Sequence, residues 1–139
     1  MPRNIILPSL FASAALAVML TTAPLPVRAA QPVANGTTAQ GKLSYYGRKF
    51  AGRKTASGER FDPKAMTMAH PKWPFGTQVR VTNLLNNKSV VLRVNDRGPF
   101  VPDRIADVSS GAARKLDMIK AGLIPSRLEV VGQAPAKRK

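Results

Sequence analysis

The stretch Gln78-Val79-Arg80-Val81-Thr82-Asn83-Leu84-Leu85-Asn86-Asn87-Lys88-Ser89-Val90-Val91-Leu92-Arg93-Val94-Asn95-Asp96-Arg97-Gly98-Pro99-Phe100 carries the clearest structural signal in the chain. Its period is two. Val79 and Val81 share one face of a strand over 78–82, and Val90, Leu92 and Val94 share one face of a strand over 89–95. The intervening Leu84–Lys88 segment is rich in turn residues, so the two strands are expected to pair as a hairpin.

Outward from this hairpin the signals weaken but keep the same period. Further strands are expected over Leu43–Tyr46, Met66–Ala69, Ile105–Val108 and Arg127–Val131. One helix is expected with Ser109 or Ser110 as N-cap, running through Ala112, Ala113 and Leu116 toward Met118, and a second short turn ending at Gly122 ahead of Pro125. Six short strands separated by Gly and Pro turns, with one or two short helices, predict an all-β closed barrel.

Composition narrows the function. The chain has 139 residues, which allows one domain and leaves no room for paired nucleotide and substrate domains. No phosphate loop of the Walker type is present. The absence of cysteine excludes thiolate catalysis and Cys-ligated metals, and the single histidine, His70, disfavours a His-based metal site. Chemistry is left to the carboxylates and His70. The 22 basic against 7 acidic residues, net +15, point to an anionic partner without saying which.

The first 29 residues read as a secretory signal peptide: Arg3, an apolar run from Ile5 to Ala23, then Pro24, Pro26 and the small-residue site Val27-Arg28-Ala29. The run is nearly long enough for a retained membrane anchor, but Pro8 and the Val-x-Ala site favour cleavage after Ala29. No cysteine follows for lipid attachment, so a protein without a stable membrane anchor is expected, in the periplasm and as a monomer. The mature chain keeps 20 basic and 7 acidic residues, net +13, in a compartment where nucleic acid is not the usual anion. Residues 30–40 are expected to be a disordered linker, 41–132 the folded unit and 133–139 a basic tail.

Of the seven acids, Glu59, Asp62, Asp96, Asp103, Asp107, Asp117 and Glu129, Asp96 is the most suggestive, because it ends an apolar strand at Asn95-Asp96-Arg97-Gly98-Pro99. A plainer role for Asp96 is an Asx turn before Gly98, and Arg97 is either a ligand clamp or the partner that holds Asp96. The loop Thr55-Ala56-Ser57-Gly58-Glu59-Arg60-Phe61-Asp62 could set Glu59 and Asp62 across a cleft from Asp96, as paired acids flank a glycosidic bond; it is equally a solvated surface loop. His70, before Pro71, is a structural histidine or a proton relay. Asp107 alternates with Ala106 and so faces with Ile105; its plainer role is to receive Arg97 or cap the helix at Ser109. Tyr45, Tyr46, Phe50, Phe61, Trp73, Phe75 and Phe100 supply rings for core packing or for stacking on sugars.

Gly41-Lys42-Leu43-Ser44-Tyr45-Tyr46-Gly47, Thr55-Ala56-Ser57-Gly58-Glu59-x-Phe61-Asp62, Met66-Thr67-x-Ala69-His70, Pro74-Phe75-Gly76-Thr77-x-Val79-Arg80-Val81-Thr82-Asn83 and Asn95-Asp96-Arg97-Gly98-Pro99-Phe100, in that order, resemble the rare lipoprotein A (RlpA) family. The resemblance continues through Asp107-Val108-Ser109 and Ala112-Ala113 and covers essentially all of 41–132. It implies a six-stranded double-psi β-barrel related to barrel-type lytic transglycosylases and expansins. It further implies cleavage of the MurNAc–GlcNAc bond in peptidoglycan strands lacking stem peptides, leaving 1,6-anhydro ends. Glu59, Asp62, His70 and Asp96 match the proposed active-site cluster of the family, and Asp107 falls where related barrels keep an acid in a His-Phe-Asp motif, here Ile105-Ala106-Asp107. The lipid-attachment cysteine and a C-terminal glycan-binding repeat domain have no counterpart here, so septal targeting is not carried over.

The reaction so implied is non-hydrolytic and needs no metal or cofactor. One acid, Asp96, protonates the glycosidic oxygen, and the same group then takes the proton of the sugar's own 6-hydroxyl as it traps the oxocarbenium-like centre. Such an acid needs a raised pKa, expected from partial burial and from a neighbouring carboxylate such as Glu59, and opposed by Arg97 if it pairs with Asp96. Tyr45, Tyr46, Ser57, Arg97 and Phe100 are the expected substrate contacts. An expansin-like wall-binding module without bond cleavage is the alternative, and a secreted interaction protein using only its basic surface is a third.

Overall fold

A computed structural model describes residues 17, 22–24 and 31–133. Most of the expected signal peptide and all but the first residue of the basic tail lie outside the described residues. Six strands, β1 (Thr38–Tyr45), β2 (Thr67–Ala69), β3 (Thr77–Asn83), β4 (Ser89–Asp96), β5 (Arg104–Val108) and β6 (Ile124–Gln133), close into a barrel in the order β1-β5-β2-β4-β3-β6. Among the described residues one α-helix, α1 (Ser110–Lys115), and a short 3-10 turn at Arg48–Phe50 complete it. The pairs β1/β5 and β2/β4 are parallel, and β2/β5, β3/β4, β3/β6 and β1/β6 are antiparallel. This is the double-psi barrel that the sequence motifs imply.

The hairpin forms as its period predicts. Val79 and Val81 on β3 and Leu92 and Val94 on β4 are fully buried, joined in the core by Leu43, Met68, Val108 and Leu128. The turn uses its asparagines twice. Asn83 and Asn86 accept backbone N–H groups two residues ahead through their side-chain oxygens, at 2.9 Å each, and Asn87 takes φ +60°, a conformation that asparagine tolerates. The Asn83 and Asn86 amides then donate to the Leu116 carbonyl, which fastens the turn to the end of α1. Ser109 is the N-cap of α1: its Oγ accepts from Ala112 N at 3.2 Å.

β1 begins at Thr38, so the last three residues of the expected linker belong to the barrel. Thr38, Ala39 and Gln40 pair with Glu129, Leu128 and Arg127 of β6, and Ala39 packs against the core. Composition does not show this, because these three residues take their order from the ladder with β6 as well as from their own apolar content.

Two irregularities in register shape the functional face. Lys42 pairs with Arg104 and Leu43 with Ala106, so β5 carries one extra residue, Ile105. Met68 pairs with Val94 and Ala69 with Asp96, so β4 carries one extra residue, Asn95. Each extra residue shifts the alternation by one and re-aims the side chains that follow.

Candidate active site

Paired residues on neighbouring strands present their side chains on the same face of a sheet. Ser44 on β1 pairs with Asp107 on β5, Asp107 with Ala69 on β2, and Ala69 with Asp96 on β4. One row across four strands therefore carries two acids with the smallest of side chains, Ala69, between them. At a strand spacing of about 4.8 Å the two acidic residues stand roughly 10 Å apart along the sheet. Loop 46–61 lies over this row, and between them runs a groove of about 440 Å³ lined by Tyr46, Phe50, Phe61, Asp96, Arg97, Phe100, Arg104 and Asp107, among others.

Asp96 does more than make a local turn. Its Oδ1 accepts from Arg97 N at 2.8 Å and from Ala56 N at 2.9 Å, which ties the end of β4 to a loop 40 residues away in sequence. Oδ2 accepts the Tyr46 hydroxyl at 3.3 Å. Burial, followed by the negative charges of Asp96 and Asp107, pushes the Tyr46 phenol far above its ordinary pKa, so Tyr46 remains a hydroxyl. A hydroxyl can donate or accept. Oδ2 can thus exchange a proton without losing its protein partner.

Asp107 is nearly buried. The Ser44 hydroxyl donates to its Oδ1, and Arg104 Nε lies 3.8 Å from the same oxygen. The expected partner Arg97 is elsewhere: its guanidinium donates to the carbonyls of Trp73 at 2.8 Å and His70 at 3.3 Å and lies 4.0 Å from the centroid of the Phe75 ring. Arg97 lines the groove, but its contact with Asp96 is through the backbone. Phe100 is 83% exposed on the lip of the groove, a ring held out to solvent beside acids.

Several predicted residues are not brought to this groove. Glu59 does not face Asp96; it is held by Arg93 at 2.8 Å and by the Asn95 amide at 3.2 Å, in a separate depression with Arg60 and Thr67. The guanidinium of Arg93 offers Glu59 a paired site earlier along β4, while the Asp96 oxygens are occupied by Ala56, Arg97 and Tyr46. Asp62 accepts from Lys64 N at 2.9 Å and organises the turn leading to β2, beside Arg48 and Arg114. Tyr45 packs on the core and donates its hydroxyl to the Ile119 carbonyl, and Ser57 bonds Thr55 within the loop.

His70 adjoins the site through its backbone, donating N–H to the Asp96 carbonyl at 3.2 Å. Its ring is structural: Nδ1 accepts from Trp73 N at 2.9 Å and Lys72 N at 3.1 Å, and the ring stacks on Trp73. Burial first, then the charges of Arg97 and Lys72, pull its pKa from 6.5 down to about 4. The unfolded chain binds this proton near 6.5 and the folded one only near 4. The contribution to stability is therefore complete above pH 6.5, is lost as pH falls from there through about 4, and changes no further below. Urea midpoints of the wild type between pH 7 and pH 4 should fall more steeply than those of His70→Asn; parallel slopes would contradict this assignment.

Sequence reasoning missed Ser44, Arg53 and Arg104. Ser44 was detectable, since it keeps parity with Tyr46, the residue that follows β1. Arg104 was not, because a three-residue separation places it on the face opposite Asp107 unless Ile105 is the extra residue.

The fold and the site together define a double-psi barrel with two groove-facing acids, a tyrosine hydroxyl on one of them and an exposed aromatic lip. The lytic transglycolase family matches residues 38–128, and the chain belongs to that family. Its barrel is of the RlpA type: the chain is 53% identical over 119 residues to a probable endolytic peptidoglycan transglycosylase RlpA of a Nostoc species, across 78% of this chain and 32% of the relative. It is 54% identical over 100 residues to the endolytic peptidoglycan transglycosylase RlpA of Campylobacter jejuni, across 72% of this chain and 36% of the relative. The chain thus spans about a third of the length of these relatives. Among solved structures, Streptomyces papain inhibitor shares the fold at a TM-score of 0.57 and 23% identity, covering 70% of this chain and 97% of that one.

Proposed function

We propose that this protein is an endolytic peptidoglycan lytic transglycosylase, cleaving the MurNAc–GlcNAc bond of stem-peptide-poor strands to 1,6-anhydroMurNAc ends. The observation that carries the reading is the Ser44-Asp107-Ala69-Asp96 row, which puts two acids on the floor of one aromatic-lipped groove. The names of the relatives from Nostoc and Campylobacter jejuni support it.

In this mechanism Asp96 Oδ2 delivers the proton to the glycosidic oxygen and then removes the proton of the 6-hydroxyl as O6 closes on C1. Tyr46 donates to a lone pair of Oδ2 in both states of the group, which leaves the proton of the acid directed at the glycosidic oxygen. The neighbouring carboxylate is Asp107 rather than Glu59, and its charge stabilises the positive centre developing at C1. Glu59, Asp62 and His70 act from behind, by fixing the loop, the turn and the strand end that hold Asp96. Phe100, Tyr46 and Arg97 contact the glycan.

We further infer that the chain works in the periplasm after loss of residues 1–29. One experiment addresses both inferences: the exported protein is purified, its N-terminus sequenced, and its products on stem-free glycan weighed. Ala30 at the N-terminus and anhydro ends are the expected results. New reducing ends would make the protein a hydrolase, binding without products would make it a wall-binding module, and an uncleaved N-terminus would overturn the export reading.

A further inference from the structure

The charge of the groove is unbalanced. Arg53, Lys54, Arg97 and Arg104 line it against Asp96 and Asp107 alone, and both carboxylates already have protein donors. Arg97 is turned onto backbone carbonyls and Phe75. The ion pairs of the described residues involve Arg80, Lys88, Arg93 and Arg104; Arg53 and Lys54 enter none of them.

Arg53 is nonetheless held in place. Its backbone N–H donates to the Phe50 carbonyl at 3.1 Å, its own carbonyl accepts from Phe61 N at 2.7 Å, and the adjoining Lys54 and Arg60 form a β-bridge. The guanidinium lies 5.5 Å from the centroid of the Phe50 ring, which meets Tyr46 edge-on; Tyr46 in turn meets Phe61. A cation on a backbone-anchored residue therefore stands at the end of an aromatic wall. On the floor of the groove, Arg104 Nε is buried without a hydrogen-bond partner, since 3.8 Å to Asp107 exceeds hydrogen-bonding distance.

An aromatic wall grips a sugar face, and a surplus cation beside it calls for a saccharide that carries an anion. In a GlcNAc–MurNAc strand that anion is the carboxylate of the 3-O-lactyl group, attached directly to alternate rings. When a peptide is attached, the carboxylate becomes a neutral amide. We propose that Arg53 and Arg104 are specificity-determining residues that read the free lactyl carboxylate of a MurNAc residue seated in the groove. This rests on the peptidoglycan reading and adds to it the groups that tell a MurNAc-containing strand from a neutral one of the same backbone.

The test uses the mature protein and three oligosaccharides of equal length: a stem-free GlcNAc–MurNAc hexasaccharide, the same compound with its lactyl carboxylates reduced to alcohols, and chitohexaose. Calorimetric titration at low salt should show the first bound about five- to tenfold more tightly than the other two, with the gap narrowing as salt is raised. Arg53→Gln, on an exposed loop, should close the gap to within about twofold, and Arg104→Gln, checked by thermal melt, should narrow it. Equal wild-type affinity for the native and reduced compounds, or a gap that survives Arg53→Gln, would overturn the proposal. Product analysis of the same mixtures separates it from the reading beneath: anhydro ends formed equally fast from native and reduced strands sink carboxylate recognition and leave the transglycosylase standing. A retained affinity gap with no anhydro ends supports the recognition and removes the activity.

Discussion

Asp96→Asn is expected to keep the barrel and to lose roughly 10²- to 10⁴-fold in the rate of anhydro-end formation. The amide oxygen can still accept from Ala56 N and Arg97 N, so the tether between β4 and loop 46–61 survives. The amide nitrogen replaces Oδ2 opposite Tyr46, whose hydroxyl then accepts instead of donating. Only the titratable proton is removed. Asp107→Asn keeps its place beside Ser44 but leaves Arg104 without its counter-ion, and a smaller loss is expected, from weaker stabilisation of the positive centre. Both variants are compared by thermal melt and by mass analysis of products from stem-free glycan. Normal turnover by folded Asp96→Asn, with loss in folded Asp107→Asn, would move the acid/base role to Asp107, and normal turnover by both would leave neither essential.

The largest loss of stability is expected from Leu128→Ala, about 2–5 kcal/mol. Leu128 is fully buried on β6, the strand that closes the barrel, and stands opposite Ala39 on β1 and Val81 on β3. Truncation removes apolar contacts from both neighbours at once and leaves a cavity that the flanking ladders resist collapsing. In a domain of this size the melting temperature should fall by about 10–20 °C. Arg127→Ala, one residue earlier and facing outward, should change stability by no more than about 0.5 kcal/mol. Equal melting temperatures for the two variants would mean that β6 does not seal the core.

Much of the candidate site was legible from local chemistry. Asp96 stood out because an apolar strand ends on it before Gly98 and Pro99, and Phe100 because a ring beside acids suits a sugar. Glu59 and His70 were legible as residues but not as neighbours. The motif that contains Glu59 gave no sign that Arg93, 34 residues later, would take it. Likewise nothing around His70 in the sequence shows that its Nδ1 is used by the backbone of Lys72 and Trp73. Arg97 beside Asp96 read as either a ligand clamp or the partner of Asp96, whereas its side chain spans to carbonyls 24 and 27 residues away.

The two-residue period of β3 and β4, the asparagine turn between them, the Ser109 cap and the barrel class can all be read along the chain, because each depends on the side chains of a few consecutive residues. The tertiary structure alone decided that Asp96 and Asp107 flank Ala69 and that Arg104 joins Asp107 on one face. Those positions follow from pairing register and from the extra residues Asn95 and Ile105, and register is fixed only when six strands close on a common core, where a shift of one residue would turn a buried row out to water.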